Sequence, residues 1–430
     1  MARFRIEGGH PLRGRVRPAG NKNAALPMLA ACLLTTEPVI LDNVPDILDV
    51  RIMLELLAAL GVEITRRGRR VTCRAAHLAS AGLDPNLSRR LRGSILLIGP
   101  LAARCGQAVF HLPGGDNIGR RRLDTHFLAL RALGFELRGK GPYTLVRRPA
   151  PRRRTLLLDE ASVTATEQAL LTAARRPGPT TIYNAACEPH VVDLAGLLTR
   201  MGARVTGAGT NRLTVRGLAR PHGARARVSA DLTEIGSFLA AAALTGGALE
   251  VAPLTRAEQA DLEILRGPFG RLGLAWRACP RGIKLAATRP LAVQGDWAGA
   301  IPCIADGPWP NFPSDLLSIL IVAATQTRGE VLFFEKMFES RLYFMDHLIQ
   351  MGARIVPCDP HRVLVSGPAP LRGQHLASPD IRAGMALILA ALAARGETII
   401  DQAEVIDRGY EQLEIRLRAL GAAITRLPSP

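Results

Sequence analysis

Apolar and polar positions along this chain repeat one phrase six times. Leu57-Ala-Ala-Leu-Gly-Val-Glu-Ile64 is followed by Leu130-Arg-Ala-Leu-Gly-Phe-Glu-Leu137 and Thr199-Arg-Met-Gly-Ala-Arg-Val205. Then come Gly270-Arg-Leu-Gly-Leu-Ala-Trp276, Ile349-Gln-Met-Gly-Ala-Arg-Ile355 and Arg418-Ala-Leu-Gly-Ala-Ala-Ile424. The shared glycines, Gly61, Gly134, Gly202, Gly273, Gly352 and Gly421, are spaced by roughly seventy residues, a period too long for a solenoid. In each copy a helix stops at the glycine and an alternating hairpin follows, as in Val62–Cys73. A further strand precedes each helix: Pro38–Leu41, Ala108–Leu112, Thr180–Tyr183, Ala248–Val251, Glu330–Phe334 and Glu397–Ile400. Upstream again lies an Ala- and Leu-rich helix, such as Ala24–Leu34 or Ser237–Leu244, with too little polar surface to face water.

The pattern predicts an α/β chain built from six βαβαββ-type units. With 430 residues, three units to a domain is the natural division. The first leading helix begins near Lys22, so 1–20 form a surplus strand pair whose simplest home is the second domain. The expected domains are therefore 21–229, and 1–20 with 230–430. The chain would cross between them near Lys22 and near Ser229–Asp231, and a hinge there could close a site.

Composition adds a compartment and removes some partners. Hydrophobic residues make up 48% and charged residues 21%, which describes a well-cored globular protein. The net charge of +18 raises the possibility of nucleic acid. Yet lysine occurs only at 22, 140, 284 and 336, and the arginines are scattered without interleaved aromatics or a nucleic-acid motif. No nucleic-acid partner is expected. Seven dispersed cysteines without a C-x-x-C pair suit a reducing cytosol. The charged start lacks a signal core, and apolar runs such as Ile319–Ala324 are too short for a bilayer. A cytoplasmic protein that does not bind membrane is expected.

The chemistry concentrates on loops after the upstream strands. Leu112-Pro-Gly-Gly-Asp-Asn-Ile-Gly-Arg-Arg-Arg-Leu-Asp124 sets one acid, Asp116, among glycines and before Arg120–Arg122. An acid among anion-binding groups suggests proton transfer on a phosphorylated substrate; the alternative is a solvated turn. Equivalent loops carry Arg341 in the fifth copy and Arg408 in the sixth. Lys22 and Arg92 stand at helix starts, where anions are favoured. Asp315 and Asp380 open apolar helices, either as N-terminal acids or as functional carboxylates.

Together these motifs resemble the UDP-N-acetylglucosamine 1-carboxyvinyltransferases, a family of enolpyruvyl transferases. The likeness lies in Ala19-Gly-Asn-Lys-Asn-Ala-Ala-Leu-Pro27, the glycine-rich loop, Asn184–Asp193, Phe312-Pro-Ser-Asp315, Phe338-Glu-Ser-Arg341, Asp380-Ile-Arg382 and Ile406-Asp-Arg-Gly-Tyr-Glu411. They occur in the family's order over the whole chain.

The resemblance implies two inside-out α/β barrels of three units each. It also implies transfer of the enolpyruvyl group of phosphoenolpyruvate to the sugar 3-hydroxyl of the uridine nucleotide, releasing phosphate. That is the first committed step of peptidoglycan synthesis, and it uses no metal or organic cofactor. By motif, Lys22, Arg121 and Arg408 would hold phosphoenolpyruvate, with Arg341, Asp380 and Arg382 nearby. Asn23, Arg92, Arg122, Leu123, Asp124, Thr125, Ser162, Val163, Thr164 and Met337 would meet the sugar nucleotide. Asp315 would be the base. Asp116, at a position that is cysteine in most of the family, would be the proton donor, and a monomer is expected.

The chain departs from the family at Glu160, Thr164, Arg122, Thr125, Ser340 and Val405, and 296–310 is longer than usual. These changes fall around nucleotide recognition. They keep open a second reading, a relative acting on another acceptor such as UMP. A non-catalytic basic binding protein on the same fold is the third.

Overall fold

The computed structural model describes residues 2–115, 118–149, 153–287 and 290–428. Two compact units are present. One holds Gly20–Gly115 and Arg121–Ser229; the other holds the N-terminal segment to Ala19, residues 118–120 and the chain from Ala230 onward.

The sixfold phrase becomes six sheets, five of four strands and one of three among the described residues. The fifth copy shows the pattern. Cys303–Ala305 runs parallel to Gly329–Phe334, which pairs antiparallel with Arg362–Gly367, which in turn pairs with Arg354–Asp359. The helix Ser314–Thr325 joins the first strand to the second, and Met345–Gln350 leads into the hairpin. All six repeat glycines adopt positive φ, from 76° at Gly273 to 106° at Gly421. That left-handed turn after a helix costs any residue with a Cβ, which is why glycine recurs there.

The Ala- and Leu-rich helices lie inside. Leu232–Leu244, Ser314–Thr325 and Ile381–Ala393 pack against one another. The last is buried from Ile381 to Leu392. In the other unit Lys22–Ala30, Ile98–Cys105 and Val163–Ala174 take this place. A helix apolar on every side is stable only when enclosed, so the sheets form the outer wall. Each unit is an inside-out α/β barrel.

Strands from distant parts of the chain complete both walls. Ala2–Glu7 inserts between Glu397–Asp401 and Ala423–Pro428, supplying a strand that the sixth copy lacks. Arg13–Val16 lies parallel to Ala248–Val251. In the other unit Ala224–Arg227 edges the sheet of Val39–Asp42. No described helix is long and apolar enough to cross a membrane.

Candidate active site

In the unit of Gly20–Gly115 and Arg121–Ser229, Asn21 caps the helix that begins at Lys22, accepting from Ala24 N at 3.1 Å. Lys22 Nζ reaches Asp49 Oδ2 at 3.2 Å, both side chains largely buried. The ammonium is thereby aimed by a carboxylate. Asn23 follows on the same turn, half-buried.

Arg92 opens a short 3₁₀ turn, Arg92–Leu97. Its Nη2 donates to the carbonyls of Arg121 (2.8 Å) and Arg122 (3.2 Å), so it braces the end of the glycine-rich loop. Gly115, at φ 128°, brings the loop backbone against Arg92, where a Cβ would lie 3.0 Å from the Arg92 Cβ. Burial, with the charge of Arg121 adding and Glu160 opposing, lowers Arg92 to about 10. Arg92 stays cationic at neutral pH, held close to a second cation. Such a pair favours an anionic ligand.

The residues expected to meet a nucleotide divide. Arg122 is exposed and pairs with Asp124 (3.3 Å) and Asp159 (2.9 Å). Thr125 is fully buried and donates to Asp159 Oδ1 at 2.6 Å. Leu123 is the N-cap position of Asp124–Ala132. Ser162 caps Val163–Ala174 by accepting from Ala165 N at 3.4 Å.

His126, which the motifs did not single out, stands 2.9 Å from the Thr164 hydroxyl. Burial, reinforced by Arg92 and Arg121, drives it down to about 3, so it is neutral across the physiological range. The only sequence signal was its place two residues beyond the loop.

The second unit holds the carboxylate set. Asp315, in the first turn of Ser314–Thr325, accepts from Arg341 Nη2 at 2.9 Å and from Arg382 Nη2 at 2.8 Å, one arginine to each oxygen. Both guanidiniums are nearly enclosed, at 6% and 7% exposure, whereas the Asp315 side chain is 28% exposed. Arg341 Nε and Nη1 and Arg382 Nη1 find no acceptor among the described residues. Burial pulls Arg382 down, but the charge of Asp315 outweighs it and holds the guanidinium above its ordinary value.

Asp380 is the N-cap of Ile381–Ala393; its Oδ1 accepts from Arg382 N (2.7 Å) and Ala383 N (3.0 Å). The helix-capping alternative accounts for it, and it fixes the backbone from which Arg382 projects. Arg382 also lies over the Tyr410 ring at 5.7 Å, beside the Arg408-Gly409 turn. Tyr410 bonds Ser237 Oγ at 3.0 Å, and burial pushes its hydroxyl up to about 12.

Met337 and Arg341 sit on one loop, 335–341, with Met337 exposed. Arg120 N donates to Glu339 Oε2 of that loop at 3.2 Å. Asp116 lies outside the described residues.

One unit thus sets Arg92 against Arg121 and holds Lys22 on Asp49. The other holds a partly exposed carboxylate against two buried arginines with donors to spare. The first can bind an anion, and the second can bind one beside a potential base.

The chain belongs to the EPSP synthase family: the family model described as EPSP synthase (3-phosphoshikimate 1-carboxyvinyltransferase) matches residues 6–417. Within it, the chain is 49% identical over 425 residues to the UDP-N-acetylglucosamine 1-carboxyvinyltransferase of Treponema pallidum, covering 99% of each. It is 48% identical over 424 residues to the enzyme of that name from Bradyrhizobium diazoefficiens, covering 98% of this chain and 97% of that one. Among solved structures, the enolpyruvyl transferase NikO from Streptomyces tendae matches with TM-score 0.87 at 25% identity, covering 100% of both chains. An EPSP synthase from Acinetobacter baumannii shares the fold, with TM-score 0.75 at 17% identity and 100% of both chains covered.

Proposed function

We propose that this protein transfers the enolpyruvyl group of phosphoenolpyruvate to the 3-hydroxyl of UDP-N-acetylglucosamine and releases inorganic phosphate, as a cytoplasmic monomer in peptidoglycan synthesis. The full-length similarity to carboxyvinyltransferases of that acceptor supports the reaction. The observation that carries the residue roles is Asp315, held by one oxygen on each of two buried arginines.

The reaction has two halves. In the addition, the sugar oxygen attacks C2 of phosphoenolpyruvate, its proton passes to a base and C3 receives a proton. In the elimination, C3 gives up a proton and the C2–O bond to phosphate breaks. Asp315 takes the hydroxyl proton. Its pairing with Arg341 and Arg382 fixes its direction. Lys22, Arg121 and Arg408 neutralise the phosphate and carboxylate, and the charge on the leaving phosphate is where such cations lower the barrier. Arg341 and Arg382 have unused donors for the same anion.

Arg92 and Asn23 meet the sugar nucleotide, with Arg122 to Thr125, Ser162 to Thr164 and Met337 around it. Because Thr125 is buried and Arg122 is engaged by Asp159, these two act by shaping the loop. Asp116 donates the proton to C3. A carboxylate there is a poorer nucleophile toward fosfomycin than a thiolate, so the protein resists that antibiotic.

Phosphate release tests the reading, with UDP-N-acetylglucosamine and UMP offered separately. Release with the sugar nucleotide supports it. Release with UMP alone moves the protein to the second reading, which the substitutions at Glu160 and Thr164 motivate. Release with neither overturns both.

A further inference from the structure

The second unit contains a carboxyl pair that the transfer reaction does not use. Asp306 follows the strand Cys303–Ala305 and Glu335 follows the adjacent parallel strand Gly329–Phe334, so the topology sets them side by side. They are 2% and 0% exposed. The Asp306 carboxyl raises the proton affinity of its neighbour Glu335. Two carboxylate oxygens can bond only if one carries a proton. Asp306 Oδ2 is buried with no other donor among the described residues, which leaves it to accept that proton.

The remaining oxygens organise the neighbouring loop and helix. Glu335 Oε1 accepts from Met337 N and Phe338 N, each at 3.0 Å, and both Glu335 oxygens lie within 3.1 Å of Ser314 Oγ. Asp306 Oδ1 accepts from Lys336 N at 2.5 Å. Ser314 begins the helix whose next residue is Asp315. Met337 and Phe338 begin the turn that ends at Arg341, a partner of Asp315.

We propose that Asp306 and Glu335 share one proton and, so bridged, form a positioning pair that holds Ser314 and the 335–341 loop, and through them Asp315 and Arg341, in register. The proposal rests on the transferase reading for its catalytic consequence, though not for the shared proton itself.

The surroundings agree. Burial, with the Asp306 carboxyl adding to it, raises Glu335 to about 8 against the pull of Arg341 and the Ser314 hydroxyl. Lys336 points its Nζ at the Phe334 ring, and His361 Nδ1 meets the Glu335 main-chain carbonyl at 2.8 Å. Above pH 8 the bridge loses its proton and two enclosed carboxylates face each other. The loop and the base then lose their common anchor.

A double-mutant cycle with amides tests this. Glu335→Gln can keep its oxygen on Met337 N and Phe338 N and offer its NH₂ to Asp306; Asp306→Asn can do the reverse. Each single amide replaces the shared proton. The double variant sets one NH₂ against the other.

In the full chain, each single variant is expected to hold kcat within about threefold at pH 7 and to lose the fall in kcat above pH 8. The double variant is expected to lose kcat by at least about tenfold beyond the product of the singles, with KM for the sugar nucleotide little changed. The infrared band of buried protonated carboxyls should lose the pair's share of its intensity in both singles, leaving the part due to Glu167, whose carboxyl burial also pushes up.

No loss of that intensity in the singles, or additive effects in the double variant, overturns the pair. If the wild type releases no phosphate, the transferase reading falls by itself. The infrared band and the same cycle in thermal stability, neither of which needs a substrate, then decide the pair.

Discussion

Replacing Asp315 by asparagine keeps the side chain's shape and removes the charge that two enclosed guanidiniums share. The aspartate gives Oδ1 to Arg341 and Oδ2 to Arg382, at 2.9 and 2.8 Å. Asparagine has one acceptor oxygen, so one arginine keeps a partner and the other meets an NH₂ group. Hydrogen bonds to charged groups contribute about 1.5–3 kcal/mol each. At 6% and 7% exposure the guanidiniums cannot recover the loss from water. Part of it is offset because Asp315 itself is 28% exposed. A destabilisation of about 2–3 kcal/mol follows, which in a unit of this size lowers Tm by roughly 4–12 °C.

The catalytic loss should be larger. Without the base, kcat falls about 10²- to 10⁴-fold. Affinity for the sugar nucleotide, measured by calorimetry, should change little, because Arg92 and its loop belong to the other unit. The assay is phosphate release below the lowered Tm, with folding checked by circular dichroism. A variant that folds, binds the nucleotide and retains kcat within tenfold would refute the assignment of Asp315 as base.

Three further outcomes are expected. Arg92→Ala releases the carbonyls of Arg121 and Arg122 from their brace and should raise KM for the sugar nucleotide about tenfold, with a smaller effect on kcat, in steady-state kinetics. Glu335 holds its proton more tightly folded than unfolded, so its contribution to stability is full below the ordinary carboxylate range and is lost as pH rises to about 8. Urea titrations from pH 5 to 9 should show that decline in the wild type and a flatter profile in Glu335→Gln. Asp116→Cys should make a fosfomycin-resistant enzyme sensitive, read as time-dependent loss of activity and a mass adduct on the protein.

The fold was legible where backbone geometry restricts residue choice. A left-handed residue after a helix demands glycine, so Gly61 and its five counterparts marked the repeat. The strand Ala248–Val251 coincided with its alternation, and Glu330–Phe334 gained one residue, Gly329. Enclosure of Ser314–Thr325 and Ile381–Ala393 followed from their lack of a polar face.

The site was legible as motifs and much less as partners. A chain with 55 basic residues does not announce which arginines are enclosed, and only the structure separates Arg341 and Arg382 from the exposed Arg122. Local sequence left Asp380 between cap and catalyst, because a carboxylate before an apolar helix reads alike in both roles. Partners such as His126 with Thr164, or Asp306 with Glu335, come from different elements of the repeat and leave no periodic trace. Nothing in spacing alone would have joined them.

The most direct measurement is a product analysis by phosphorus NMR and mass spectrometry after incubating the purified protein with phosphoenolpyruvate and UDP-N-acetylglucosamine. The account predicts inorganic phosphate in equal amount to a sugar nucleotide that carries one enolpyruvyl group on its 3-oxygen, and neither product with Asp315→Asn on the same timescale. Phosphate without the modified nucleotide, or equal turnover by the variant, would contradict it.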